Sequence, residues 1–464
     1  MSMDDEATAA DQTPHAAPSE DHVFLAKVVG AAGDRDKHLL RRLLKDLDPA
    51  DLADVIEHLP GEAMRHALRL IGPELPAEFL ANLSWERREE VLEVLPADYV
   101  GRALGELDTD DAAAVAADVD VKKLGAVLAA APDEVRHAVE EALSFEEETA
   151  GRLMQREYVA APEGDTVGDV IDRLRIDSAE LPDVFFEVYI VDAMMRPVGA
   201  VPVSTLLRAE RSTLVAAIMR PPQILIRPEM DQEEVAHTFM KYHLASAPVV
   251  DEAGRLTGMV TVDDIVDVIS EEGEEDLLKL AGVSDASQSD SVYRSVRARA
   301  PWIFVNLGTA LVASSIISRF SASIETLVAL AVLMPIVASM GGNAGTQALA
   351  VAVRALASRE LSTSNAARYV VREVMTGMAN GLMFALLLAG VAGVWFQSAG
   401  LSLAIGLAVI INFTCAGFAG ILVPLTLRRI GADPAVSSSV FVTFVTDCVG
   451  FLAFLGLATL ILLG

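Results

Sequence analysis

A chain of 464 residues has room for two or more domains, and this one joins a formal net charge of -30 to 52% hydrophobic residues. Such acidity argues against a nucleic-acid partner and suits a cation, or simply serves solubility. The two properties occupy different segments: from residue 301 onward seven arginines face five carboxylates, so the first 300 residues carry a net -32.

Residues 1–20 are polar and acidic, show no signal peptide and are expected to be disordered, which keeps the acidic half in the cytoplasm. Short amphipathic helices are predicted over 21–150. A similar phrase recurs there as Asp48-Pro49-Ala50-Asp51-Leu52-Ala53, Leu75-Pro76-Ala77-Glu78-Phe79-Leu80 and Leu95-Pro96-Ala97-Asp98-Tyr99-Val100. Each phrase puts a proline where a first helical turn tolerates it, followed by an acid that suits a helix N-terminus. Recurrence at roughly 20 residues predicts an all-α helical-repeat domain.

Residues 151–270 contain a duplication. Val191, Asp192, Arg196 and Gly199 match Val250, Asp251, Arg255 and Gly258 at a constant offset of 59. Each copy reads helix, strand, turn, strand, helix, and Asp251-Glu252-Ala253-Gly254 is a hairpin signal between apolar runs. The pattern resembles a pair of α/β CBS domains. In the second copy Thr261 and Asp264 match that family's adenosine-binding pattern, which implies ATP as a ligand. The first copy has Ser204-Thr205 and lacks the acid. The alternative is a pair that serves dimerisation and relay alone.

A connecting helix is predicted over 271–299, beginning with the acidic run Glu271 to Asp276. Uncharged stretches then run over 300–318, 326–353, 374–427 and 434–464, the last broken only by Asp447. A span needs about 20 apolar residues. The third stretch holds two spans with a turn near Gln397-Ser398-Ala399-Gly400, so five spans are predicted over 300–464. Arg294, Arg297 and Arg299 precede the first. Arg354, Arg359, Arg368 and Arg372 separate the second and third, and Arg428 and Arg429 separate the fourth and fifth. The positive-inside rule puts these loops and the acidic half in the cytoplasm and the C-terminus outside.

Asp447 is the most informative residue. A lone carboxylate in hydrocarbon costs about 2.5–3.5 kcal/mol, so such residues usually face a cavity or hold a cation. Ser439, Thr443, Thr446, Asp447 and Gly450 recur at helical spacing and predict a polar face. In the second span, Pro335 and the run Gly341-Gly342-Asn343-Ala344-Gly345-Thr346-Gln347 combine small residues with neutral oxygens. Read alone, that run is a helix-packing face; beside Asp447 it reads as pore lining, with Gly342 and Asn343 as candidates. No histidine or thiolate set points to a soft metal, and Cys415 and Cys448 are too few for a disulfide framework.

The proline-to-glutamine run of the second span, Asp433-Pro434 and the Thr446-Asp447 pair resemble the MgtE family of magnesium channels. So does the order of helical-repeat domain, CBS pair, connecting helix and five spans. The resemblance covers nearly all of the chain beyond residue 20. It implies a homodimer in the bacterial inner membrane, with a Mg2+ path on the two-fold axis lined by spans two and five. Asp447, with Asn343, Thr443 and Gly342, would form its metal site. The resemblance further implies cytosolic Mg2+ sensing by Asp231, Glu233, Asp264, Asp267, Glu272, Glu275 and Asp276, with the connecting helix as the plug. His243 stands where relatives carry an acid, which weakens one sensor site. Magnesium prefers oxygen ligands and gives up water reluctantly, so paired carboxylates suit it, and other divalent cations remain candidates. A proton- or sodium-coupled carrier using Asp447 and a non-transporting cation receptor are the competing readings. No P-loop or hydrolase motif indicates an enzyme.

Overall fold

Aspartates and prolines set the helix starts of the acidic half. Asp21 accepts hydrogen bonds from Val23 N and Phe24 N at the head of His22–Gly33. Asp48 accepts from Ala50 N at the head of Pro49–His58, with proline at the first position, as suits a residue without an N–H. The computed structural model describes residues 18–19, 21–176, 181–182, 184–280, 292–361, 365–431, 433 and 438–463. The chain divides into two units, Met1–Ser270 and Glu271–Gly464.

In the first unit, helices from His22 to Ala142 enclose a core of Leu40, Leu44, Leu52, Ile56, Met64, Leu68 and Phe79. Burying each such side chain contributes about 1.5–3 kcal/mol. Two of the three repeated phrases start α-helices, Pro49–His58 and Ala97–Ala103. The middle phrase forms only the short 3-10 turn Ala77–Leu80. There Asn82 Nδ2 donates to Glu78 O (2.9 Å), closing the turn before the next helix starts at Trp85.

The duplication is visible in the two antiparallel hairpins. Strands β1 (Ala160–Pro162), β2 (Glu187–Val191) and β3 (Pro197–Pro202) form one sheet in that order. Here β1 is parallel and β3 antiparallel to β2. Strands β4 (Ser246–Val250) and β5 (Leu256–Thr261) form an antiparallel pair. The β4–β5 hairpin repeats β2–β3 at the offset of 59. Each turn is built by its aspartate: Asp192 accepts from Arg196 N (2.9 Å) and Asp251 from Arg255 N (2.8 Å). At the matching turn position the second copy has Gly254 at φ +78° and the first has Met195 at φ +61°. The copies are joined by Tyr189 Oη donating to Ser246 Oγ (2.8 Å) within the core.

A single helix, Val262–Leu280, leaves the second copy and runs unbroken through the expected junction at 270–271. Residues 281–291 lie outside the described part. In the second unit five helices are long and apolar enough to cross a membrane: Ser295–Ser318, Ala329–Ala357, Ala366–Phe396, Ala399–Arg429 and Ser439–Leu463. The helix carrying the first span starts at Val292, before the uncharged stretch begins, because its first two turns are polar. Between spans three and four, Gln397 takes φ +50° and Ser398 Oγ accepts from Leu401 N.

Span four packs against spans two, three and five, and it is the most buried of the spans. Glycines allow this closeness. A methyl group added at Gly417 would lie 2.4 Å from the Glu373 carbonyl oxygen, and one added at Gly377 would lie 2.4 Å from that of Phe413. Gly417→Ala is therefore expected to destabilise the membrane unit by about 1–3 kcal/mol. Gly390→Ala, with nothing within 4 Å of the added methyl, serves as the neutral control. Thermal unfolding in detergent checks the pair.

Candidate functional site

Helical geometry turns the polar residues of span five in two directions. Thr446 is fully buried and its hydroxyl donates to Thr443 O (3.0 Å). Gly450 is buried against Asn412 of span four. The polar face expected from Ser439 to Gly450 is therefore narrower than its spacing implies: Thr446 and Gly450 pack inward, and Thr443 and Asp447 stay half-buried. Ser439 Oγ donates to Leu280 O (3.0 Å).

Span two crosses span five at its glycines. A methyl at Gly345 would meet Val442 at 2.5 Å and Thr446 at 3.4 Å, and one at Gly342 would lie 3.9 Å from Thr443. Gly342 and Thr443, two of the expected lining residues, are thus brought together. Asn343 is exposed on the single protomer, as are Thr346 and Gln347. Thr346 donates to Gly342 O (3.0 Å), so its hydroxyl proton is used within its own helix.

Asn412 escaped the sequence reading. It is fully buried, its Nδ2 donates to Val337 O (3.0 Å) in span two, and its Oδ1 has no partner. An unpaired buried acceptor costs about 1–3 kcal/mol. A lone amide near the middle of span four was the available signal.

At the end of the connecting helix, Lys279 pairs with Glu275 (2.6 Å) and Asp433 (2.9 Å). Leu280 and Val423 pack against the buried cluster of Leu349, Val353 and Val442. Burial, then the facing Asp433 carboxylate, pushes Asp276 above the usual carboxylate range. Glu272 lies on the same helix.

In the first unit the helix Thr109–Ala117 brings a second acidic group together beside the second hairpin copy. Asp110 is only 8% exposed. Burial, then the charges of Asp264 and Asp111, holds its pKa well above the ordinary value. Asp264 is raised by burial, and further by Asp263 and Asp111, against the opposing hydroxyl of Thr261. Asp111 is pushed up to about 6 by burial and Asp108, with Arg88 opposing. Asp267 is raised by burial and Asp263. Of this group the sequence reading named only Asp264 and Asp267. Asp110 and Asp111 lie in an acidic run that reads as a solvated helix start.

Asp231 caps Gln232–Tyr242 by accepting from Glu233 N (2.9 Å). His243 ends that helix in the left-handed region at φ +54°. Among the described residues no group of three or more His, Cys, Asp or Glu is placed to hold a metal ion. The acidic group is a set of mutually repelling carboxylates that a hard cation would relieve. Thr261 Oγ1 donates to Asp264 Oδ2 (2.6 Å). These two residues fit a ribose contact by type, and the same Asp264 carboxylate is shared with the acidic group.

These pKa shifts have a pH consequence with a definite sign. A carboxyl raised from 3.8 to about 6 binds its proton more tightly in the packed state. Packing of Thr109–Ala117 against the pair is therefore favoured at low pH and weakens as pH rises through about 6. In EDTA, protease protection of this contact is expected to fall as pH rises from about 4 to about 6. Added Mg2+ should restore it at the higher pH.

Comparison with known proteins places the chain. Residues 334–457 match the MgtE family, described as a divalent cation transporter. Residues 47–148 match the MgtE intracellular N domain and 215–271 the CBS domain. A magnesium transporter MgtE of Thermus thermophilus is 34% identical over 441 residues, covering 93% of this chain and 97% of that protein. One from Enterococcus faecalis is 35% identical over 322 residues, covering 69% and 71%. A crystal structure of the cytosolic domain of the Mg2+ channel MgtE in complex with ATP is 36% identical. It covers 53% of this chain and 99% of that one, with a TM-score of 0.48.

Proposed function

This chain belongs to the MgtE family of divalent cation transporters, and on that premise we propose that it is a Mg2+ channel closed by cytosolic Mg2+. The observation that carries this reading is Asp447. It is the one charged residue of the fifth span, and it is half-buried beside Thr443 while the inward side of that helix is packed against spans two and four. A carboxylate kept at membrane depth needs a cavity or a cation. In a homodimer with spans two and five on the two-fold axis, two Asp447 carboxylates supply the charge of one divalent ion. They hold it through retained water, firmly enough to select and weakly enough to release. Thr443, Gly342 and Asn343 complete the lining in this reading.

Closure uses the acidic half. Without cation, Asp110, Asp111, Asp264 and Asp267 repel one another. Cytosolic Mg2+ bridges them, with Asp231 and Glu233 as further ligands; Glu272, Glu275 and Asp276 are separate candidate ligands on the connecting helix. The end of the connecting helix then acts as the plug, held by Lys279–Asp433 and by Leu280 between spans two and five. ATP at Thr261 and Asp264 would draw on a carboxylate of the sensor and so shift its Mg2+ response. The arginine-rich loops support an orientation with the acidic half in the cytoplasm and the C-terminus outside.

The test is Mg2+ influx into proteoliposomes driven by the Mg2+ gradient alone. Influx that persists when a protonophore and a sodium ionophore clamp the other gradients supports the channel. Influx that vanishes under the clamp identifies a coupled carrier, and no influx at low internal Mg2+ identifies a receptor. A smaller effect is expected at the plug. The Lys279–Asp433 pair is partly exposed, at 25% and 36%, so it contributes about 0–1 kcal/mol. Asp433→Asn should raise residual influx at closing Mg2+ by roughly two- to fivefold.

A further inference from the structure

We propose that Asn412 is a positioning residue for the ion path, setting the register between spans two and five from a third helix. The proposal rests on the channel reading above. Asn412 lies on span four, where no lining residue was assigned, and is 0% exposed. Its Nδ2 donates to Val337 O of span two at 3.0 Å. Its amide also fills the space left by two glycines on different helices. A methyl at Gly341 would come 2.0 Å from Nδ2, and one at Gly450 would come 2.7 Å from the same atom. Gly341 adjoins Gly342, and Gly450 stands three residues after Asp447. One side chain therefore touches both helices of the path, one turn or less from the residues that line it.

Stability alone does not call for this amide. Only the nitrogen can donate to Val337 O, which leaves Oδ1 buried without a donor. Asn412→Leu gives up the bond to Val337 O but also removes the unpaired buried Oδ1, two changes of similar size and opposite sign that offset each other. What the amide supplies is direction. A hydrogen bond fixes the rotation and height of span four against span two, and the amide plane between Gly341 and Gly450 fixes span five against both. A leucine fills the same volume without fixing either.

The experiment compares wild type, Asn412→Leu and Asn412→Asp in the proteoliposome assay, reading half-saturating Mg2+, maximal influx and discrimination against Ca2+, with thermal unfolding alongside. In an apolar interior the aspartic acid stays protonated and can donate to Val337 O as the amide does. Expected for Asn412→Leu are unchanged unfolding, half-saturating Mg2+ raised about tenfold and Ca2+ discrimination reduced about tenfold. Asn412→Asp should keep both near wild type. Leucine values equal to wild type would overturn the proposal. So would loss of discrimination in both variants, or a leucine variant that fails to fold while the aspartate variant folds, which would make Asn412 structural. Absence of wild-type influx would instead remove the channel reading itself.

Discussion

Asp447→Asn is expected to lower gradient-driven Mg2+ influx on the order of a hundredfold, with folded protein recovered in normal yield. The magnitude follows from membrane electrostatics. Inserting a charge at this depth costs about 2.5–3.5 kcal/mol; a bound cation that relieves that cost gains affinity of the same order, and every 1.4 kcal/mol is tenfold. The fold does not rely on the charge, because the inward side of span five is held by Val442, Thr446 and Gly450. Asparagine keeps the shape and an oxygen ligand, so the loss isolates the charge. Influx of the variant within threefold of wild type would remove Asp447 from the path.

The second large effect is expected in the sensor. The double variant Asp110→Asn, Asp264→Asn removes two of the carboxylates that repel one another across the packed contact. Packing without cation should then be favoured, and its response to Mg2+ lost. Moving a two-state population from 1:99 to 99:1 takes roughly 5.5 kcal/mol of differential binding, which needs several sites acting together. In the wild type, protease protection of the Thr109–Ala117 contact should rise steeply with Mg2+ at neutral pH. In the double variant it should be high and flat, and influx should no longer track Mg2+ on the cytosolic side. A steep Mg2+ response surviving in the double variant would place the sensor elsewhere.

Much of the architecture was legible because it rests on local rules. The offset of 59 that matched Val191 to Val250 reappears in the two hairpins, since alternation and an aspartate-built turn are local properties. The five spans follow from uncharged length, and the turn at Gln397 from the polar break between two of them. Asp447 stood out because a single charge in a long apolar run has few explanations.

What was not legible depends on tertiary contact. Helical spacing put Thr446 and Gly450 on the same face as Asp447, yet spacing does not tell which edge of a polar face meets a neighbouring helix. Asn412 meets Gly341, Val337 and Gly450, which lie far from it in sequence and draw together only when spans two, four and five pack. Asp110 and Asp111 read as ordinary helix-start acids. Their burial arises because Thr109–Ala117 is brought to the CBS pair, where Glu157 also accepts from Thr109 N and Oγ1. The middle repeat phrase has the same start signals as its companions and still makes only a 3-10 turn, beside which Asn82 Nδ2 donates to Glu78 O.

The most direct test of the central claim is Mg2+ influx measured while Mg2+ is stepped from trace to millimolar on the face bearing the acidic unit. The entering gradient is held constant throughout. The account expects influx to be high at trace Mg2+ and to fall steeply, by tenfold or more, as the carboxylates are bridged. Influx that stays constant, or rises, across the same steps would contradict a path closed by its own ion.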